Sequence, residues 1–313
     1  MAMKLTLCLF LCILAVPGSA QFTENFADGD FTNNPSWTGE VDQFAIISNQ
    51  LKLQVPAVAG LSYLATASKA INDASFEFWV RMEFNPSSSN LTNVYLVSDS
   101  PNMKGPLNGY FVMIGDTPDE VSLYRQNGNT VTRIIDGQDG RVSLSTVIVK
   151  IKAERDFNGN WKLYSDVNAT GTYQLEGSAF DNTHRKSTYF GISCLYTATR
   201  SDKFFFDDFI VTGNPFVDVD PPALLSVTPI SNSALTIEFD EPLESASANH
   251  SINYLLSPEL RSPTNAELQP DGRSVMLQFS LPFQNGQTYS LTVNGVLDLS
   301  GNATVSLNMS FLY

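Results

Sequence analysis

Hydrophobic and polar positions alternate with a period of two along most of this chain from residue 21 onward. In Ser75–Phe84, the residues Phe76, Phe78, Val80, Met82 and Phe84 take one face. Glu77, Trp79, Arg81 and Glu83 take the other. One apolar and one polar face at that period predicts a half-buried β-strand. Asn93–Val97, Gly109–Gly115, Val121–Gln126, Val147–Glu154, Trp161–Val167, Tyr189–Tyr196 and Lys203–Thr212 read the same way. The pairs Asn127-Gly128, Asp136-Gly137, Asp139-Gly140 and Asn158-Gly159 punctuate them as turns. No long amphipathic helix pattern interrupts the series. Many strands joined by short turns predict an all-β sandwich or jelly roll.

The pattern breaks at Gly213-Asn214-Pro215-Phe216-Val217-Asp218-Val219-Asp220-Pro221-Pro222. Proline restricts its own φ and its neighbour's conformation, so residues 214–222 read as a short, stiff linker. New strands follow at Leu224–Thr228, Ala234–Phe239, Val275–Phe279 and Thr288–Val293. Their spacing over residues 223–313 suits an immunoglobulin-like sandwich. The first sandwich then occupies residues 21–213.

Ahead of both lies a different pattern. Lys4, the apolar run Leu5–Val16 and the small residues Pro17-Gly18-Ser19-Ala20 have the layout of a secretory signal peptide over residues 1–20. The run is too short to span a bilayer, and no later stretch is long and apolar enough to do so. The expected location is therefore secreted or cell-surface. Cys8 and Cys12 fall in the signal, which leaves Cys194 alone and allows no intramolecular disulfide. Cys194 sits in a strand-like run and reads as a small buried hydrophobe. The net charge of −14 and pI near 4.4 disfavour nucleic acid, whose phosphates such a chain repels. The acidity is compatible with calcium and with neutral polysaccharide, and equally with mere solubility.

Catalytic chemistry finds few residues to use. Cleavage of a glycosidic bond needs two carboxylates about 5–9 Å apart. Glu77 and Glu83 share a strand face but lie about 20 Å apart at ~3.3 Å per residue. The two histidines, His184 and His250, sit in polar turns and read as solvated. No zinc ligand set and no phosphate-binding glycine loop is present.

Two sets of residues carry a resemblance. Phe26-Ala27-Asp28-Gly29-Asp30-Phe31, Pro35-Ser36-Trp37-Thr38-Gly39, Phe44, Leu51-Lys52-Leu53, Gly109-Tyr110-Phe111, Leu123-Tyr124-Arg125, Tyr196-Thr197-Ala198-Thr199-Arg200 and Phe206-Asp207-Asp208-Phe209 resemble the concanavalin A-like, laminin G-like jelly roll of exported Bacteroidetes surface proteins. Asp220-Pro221-Pro222, Ser226-Val227-Thr228-Pro229, Ile237-Glu238-Phe239-Asp240-Glu241-Pro242-Leu243, Gly286-Gln287-Thr288-Tyr289 and Asp298-Leu299-Ser300-Gly301-Asn302 resemble the bacterial Ig-like domain of S-layer proteins. The resemblance implies a non-catalytic surface or adhesion protein, with the jelly roll as recognition module and the Ig-like domain as spacer. It also implies either a short member of the group or the front of a longer protein. A lectin-like protein assisting polysaccharide capture is the alternative. A divergent glycosidase, or an enzyme whose catalytic part lies elsewhere, is the third.

Two candidate sites follow. Asp28 and Asp30 near the first strand, and Asp207 and Asp208 near the last, would come together in a jelly roll. By resemblance, such a place often holds a structural calcium; the alternative is a turn at Asp28-Gly29-Asp30 and an ion pair at Asp207 or Asp208. For carbohydrate, an aromatic face with fixed polar groups is needed. The polar face Glu77, Trp79 and Arg81, with Tyr124 and Arg125 from a nearby strand, has that makeup. The alternative is Trp79 covered by a loop and Arg81 paired to Glu77 or Glu83.

Overall fold

The structure is a computed structural model that describes residues 20–313. The expected export signal lies outside the described residues, except for Ala20, which opens the first strand. The chain divides into two compact units, ending at Phe216 and beginning at Val217. Among the described residues no helix is long and apolar enough to cross a membrane.

The first unit is two antiparallel sheets packed face to face. One sheet runs in the order Gln174–Phe180, Asn160–Val167, Val147–Arg155, Asn72–Met82, Phe204–Asn214, Gln50–Leu53, Phe44–Ile47. Its eighth strand, Ala20–Glu24, also pairs with Phe204–Asn214. The other sheet runs Thr130–Ile135, Glu120–Gly128, Leu107–Gly115, Leu91–Ser98, Tyr189–Tyr196, Gly60–Ala67, Trp37–Gly39. First and last strands of the unit are thus neighbours, as a jelly roll requires.

Period two decides which side chains meet between the sheets. In Asn72–Met82 the residues Phe76, Phe78, Val80 and Met82 are all at most 1% exposed, while Glu77, Trp79 and Arg81 between them are half-buried on the outward face. Trp37 and Trp161 are core residues at 2% and 0% exposure, ringed by Phe22, Phe76, Phe190 and Tyr110. Burying an aromatic of this size contributes roughly 2–3 kcal/mol, which lets the unit hold without a disulfide. Cys194 is fully buried in the same core.

The second unit is a smaller sandwich. Leu224–Ser231, Ala234–Phe239, Ser274–Gln278 and Asn265–Leu268 form one sheet, and Tyr254–Ser257, Thr288–Val293 and Leu307–Leu312 the other. Its core holds Ile237, Tyr254, Leu277, Tyr289 and Leu291. One α-helical turn, Ser245–Ala248, is capped by the Glu244 carboxylate, which accepts from the backbone N–H groups of Ala246 and Ser247. The fold class is all-β: a jelly-roll sandwich followed by an Ig-like sandwich.

Candidate functional site

A break in the last strand of the jelly roll creates the site. Phe204 and Phe206 are buried, and so are Phe209 and Val211. The core-facing positions therefore switch from even to odd numbers between 206 and 209. The register confirms one extra residue: Asp207 lies opposite Trp79, and Ile210 opposite Glu77. Three steps on one strand match two on the other, which defines a β-bulge. Asp208 occupies it at φ +50°, a left-handed conformation that Asp and Asn tolerate better than most residues. The bulge thrusts the Asp208 carboxylate out of the sheet.

Across from the bulge the first strand ends, with Glu24 opposite Phe209. The chain then turns sharply. Phe26 is at φ +51° and fully buried, with its ring edge-on to Phe209 at 6.1 Å. Gly29 follows at φ +77° and donates its N–H to the Phe26 carbonyl. Between turn and bulge lies a cavity of about 440 Å³ lined by Glu24, Asn25, Asp28, Asn34, Asp208 and the exposed Ile210, among others. A second cavity of about 210 Å³ adjoins it, sharing Asp208 and Ile210 and adding Glu77, Lys150 and Tyr173.

The electrostatics are lopsided. Glu24, Asp28, Glu77 and Asp208 are acidic, and Lys150 is the single lysine or arginine lining either cavity. Lys150 Nζ lies 3.0 Å from Asp208 Oδ2. Glu24 is only 7% exposed, and its Oε1 accepts from the Phe26 N–H at 2.8 Å. Burial pushes the Glu24 carboxyl above the usual range, and nearby Asp28 and Asp30 push it further. Burial likewise raises the Tyr173 phenol to about 12, with Glu77, Asp166 and Asp208 adding to the shift. Such a site offers many hydrogen-bond acceptors, amides that both donate and accept, one cation and an apolar patch at Ile210. That suits a neutral polyhydroxylated ligand and disfavours an anionic one.

The candidates from sequence are redistributed. Glu77, Asp28 and Asp208 line these cavities, and Trp79 stands in the adjoining row, opposite Asp207 and Lys150. Arg81 is committed: its guanidinium lies 3.8 Å from the Phe205 ring centroid and bonds Glu83 and Gln50. Tyr124 does not share a face with Trp79, because it belongs to the other sheet. It stacks on Phe111 at 5.3 Å, beside Tyr95 and next to Met103, on that sheet's outward side. Arg125 alternates to the opposite face from Tyr124 and pairs with the buried Asp181, which also accepts from Tyr110 Oη at 2.7 Å. His184 is half-buried rather than free in solvent. Its ring packs edge-on to Tyr110, with Nε2 2.8 Å from the Gln126 carbonyl.

The expected calcium set does not assemble. Asp30 spends its carboxylate on Thr32 and Asn33, bonds that hold its pKa down to about 2. Asp207 accepts from the Asp208 N–H, and Asp208 is engaged by Lys150. First and last strands do meet, and Asp28 and Asp208 line one cavity, but local hydrogen bonds take up Asp30 and Asp207. Among the described residues, the acidic group close enough for one ion lies in the second unit: Asp218, Glu241 and Asp298 offer oxygens within 4.8 Å of one another. Asp298 is 1% exposed and organises its loop, accepting from the N–H groups of Ser300 and Asn302 at 2.8 Å. Burial raises the Glu241 carboxyl, and Asp218 and Asp298 raise it further. An all-oxygen donor set fits a hard divalent cation.

Sequence reading missed Glu24, Asn25, Asn34, Lys150 and Tyr173. The parity switch between Phe206 and Phe209 is the signal that marks the bulge. Nothing comparable in the sequence marks Tyr173, which comes from a loop.

Residues 215–312 match the bacterial Ig-like domain family. No curated protein matches the chain. Among solved structures, the chain is similar to the calcium- and mannose-bound VIP36 exoplasmic/lumenal domain, at 10% identity over 64% of this chain and 92% of that one, TM-score 0.48. It is similar to the carbohydrate-binding module CBM66 from Bacillus subtilis, at 15% identity over 56% and 95%, TM-score 0.41. It is also similar to the N-terminal part of the bacterial S-layer protein SbsC, at 20% identity over 30% and 24%, TM-score 0.28. The ligands in those names are properties of those proteins.

Proposed function

We propose that this is an exported, non-catalytic surface protein whose jelly roll binds glycan at the Asp208 bulge and whose Ig-like unit acts as a spacer. The observation that carries the reading is the 440 Å³ cavity, where carboxylates and amides converge around an apolar patch. Ligand pockets of this kind combine shape with a few placed polar groups. Carboxylates accept from sugar hydroxyls, and Asn25 and Asn34 serve hydroxyls in either role. Trp79, half-buried in the neighbouring row, offers an aromatic surface to sugar C–H groups.

The test is a glycan-array screen of the chain from residue 21, repeated with Asp208→Asn. Binding to neutral glycans that the variant loses supports the reading. An array with no bound glycan contradicts it. The structural calcium expected from sequence belongs, in this reading, to Asp218, Glu241 and Asp298. There it would neutralise carboxylates that face one another and tie the start of the second unit to its 298–302 loop.

A further inference from the structure

We infer that the ligand is a linear, uncharged oligosaccharide of at least two sugars that crosses the strands, rather than a single terminal sugar. This rests on the glycan reading of the same site and deepens it. The inference comes from the way the two cavities join. They share one wall, Asp208 and Ile210, and the outward-facing Thr23 of the first cavity lies in line with the outward-facing Glu77 and Lys150 of the second.

Their far walls stand on different strands. Thr23, opposite Ile210, closes the first cavity from the strand Ala20–Glu24. Lys150 closes the second from Val147–Arg155. Phe204–Asn214 and Asn72–Met82 lie between them. Three inter-strand spacings of ~4.8 Å give a path of about 14 Å, which is longer than one pyranose ring. A chain lying along it runs perpendicular to the strands and passes over the bulge.

The polar groups divide along that path. Asn25, Asp28 and Asn34 serve the first sugar, and Glu77 and Tyr173 the second. Asp208 stands at the junction with a half-exposed side chain, so it can turn toward the hydroxyls of both rings, while Lys150 meets the second. Tyr173 supplies the second cavity with an aromatic ring drawn from the loop before Gln174–Phe180. Four carboxylates against one lysine select against uronic acids, sulfate esters and sialic acid.

The experiment is isothermal titration of the chain from residue 21 with neutral gluco-, manno- and xylo-oligosaccharides of one to six sugars. An oligogalacturonate of matching length is the charged control. Affinity is expected to rise at least tenfold between one sugar and the plateau length in the best series, with no binding of the control. Tyr173→Ala is expected to lower the affinity of the long ligand about tenfold and leave monosaccharide binding unchanged. Glu77→Gln, a near-isosteric change on a strand, should act in the same direction and serves if the first variant does not fold. Monosaccharide binding with no gain on lengthening overturns the inference and leaves the glycan reading standing. No binding of any sugar overturns both. Tighter binding of the oligogalacturonate overturns the assignment of an uncharged ligand.

Discussion

Replacing Asp208 by Asn removes a charge at the bulge while keeping a side chain that accepts the left-handed backbone. The ion pair lost with it joins Lys150 and Asp208 side chains that are 38% and 51% exposed. Exposed pairs of this kind contribute ~0–1 kcal/mol. Asp208→Asn should therefore leave the thermal midpoint of the first unit within about 4 °C of the parent, given ~2–4 °C per kcal/mol for a unit of this size. Asp208→Ala loses the same pair and must also hold φ +50° without the local hydrogen bonding that favours Asp and Asn there. That strain costs about 1–2 kcal/mol, so its midpoint should fall a further ~2–8 °C. Ligand binding responds differently. A hydrogen bond to a charged acceptor contributes ~1.5–3 kcal/mol against ~0.5–1.5 for a neutral one. Asp208→Asn should therefore lose about fivefold in glycan affinity and Asp208→Ala about ten- to hundredfold, at ~1.4 kcal/mol per tenfold. Scanning fluorimetry and titration calorimetry on the same preparations read the two effects separately. Equal midpoints for Asn and Ala would refute the strain argument. Unchanged affinity in a folded Asp208→Asn would remove the bulge from the binding site.

Four further outcomes are expected. Asp181→Asn places an amide against the Arg125 guanidinium at a position 7% exposed; a loss of about 2–3 kcal/mol, read as a fall of roughly 5–10 °C in the first unit's midpoint, checks it. Burial raises the Asp181 carboxyl, but its hydrogen bonds from Thr183 and Tyr110 and the charge of Arg125 prevail and lower it; its stabilisation is thus present above the ordinary carboxylate range and lost as pH falls through the lowered value, so the variant's deficit should shrink at low pH. Glu24 has the opposite sign: its raised carboxyl favours the protonated form in the fold, so stability is lost as pH rises through the raised value, and Glu24→Gln should gain on the parent between pH 4 and pH 7 in urea melts. Cys194 is fully buried and its thiol is pushed up by that burial; a thiol reagent should label it only after unfolding, and native labelling within minutes would contradict its packing. Calcium should raise the second unit's midpoint and chelator reverse it, with Glu241→Gln abolishing the response; no calcium effect on the parent would remove the metal from the Asp218 cluster.

The sandwich architecture was legible because period two is a local property. Ser75–Phe84 carries its core face in its own residues, and Trp37, Trp161 and Cys194 follow their neighbours inward. What alternation does not encode is which strand lies beside which. Trp79 and Tyr124 both read as polar-face aromatics, yet sheet order puts them on different sheets. A different, local effect scattered the expected calcium set. Asp28 and Asp208 do reach one cavity, because the first and last strands pair. Asp30 and Asp207 do not join them: hydrogen bonds within the turn and at the bulge take up their carboxylates. Short edge strands such as Trp37–Gly39 and Phe44–Ile47 also escaped notice, since three or four residues hold too few alternations to register.

Hydrogen-exchange footprinting with a saturating neutral oligosaccharide tests the central claim most directly, because it locates the ligand as well as detecting it. The account predicts added protection at residues 23–34, where the first strand runs into its turn, at 206–210 and around Tyr173. Protection confined to the opposite sheet, around Tyr63, Tyr95 and Tyr124, would contradict it.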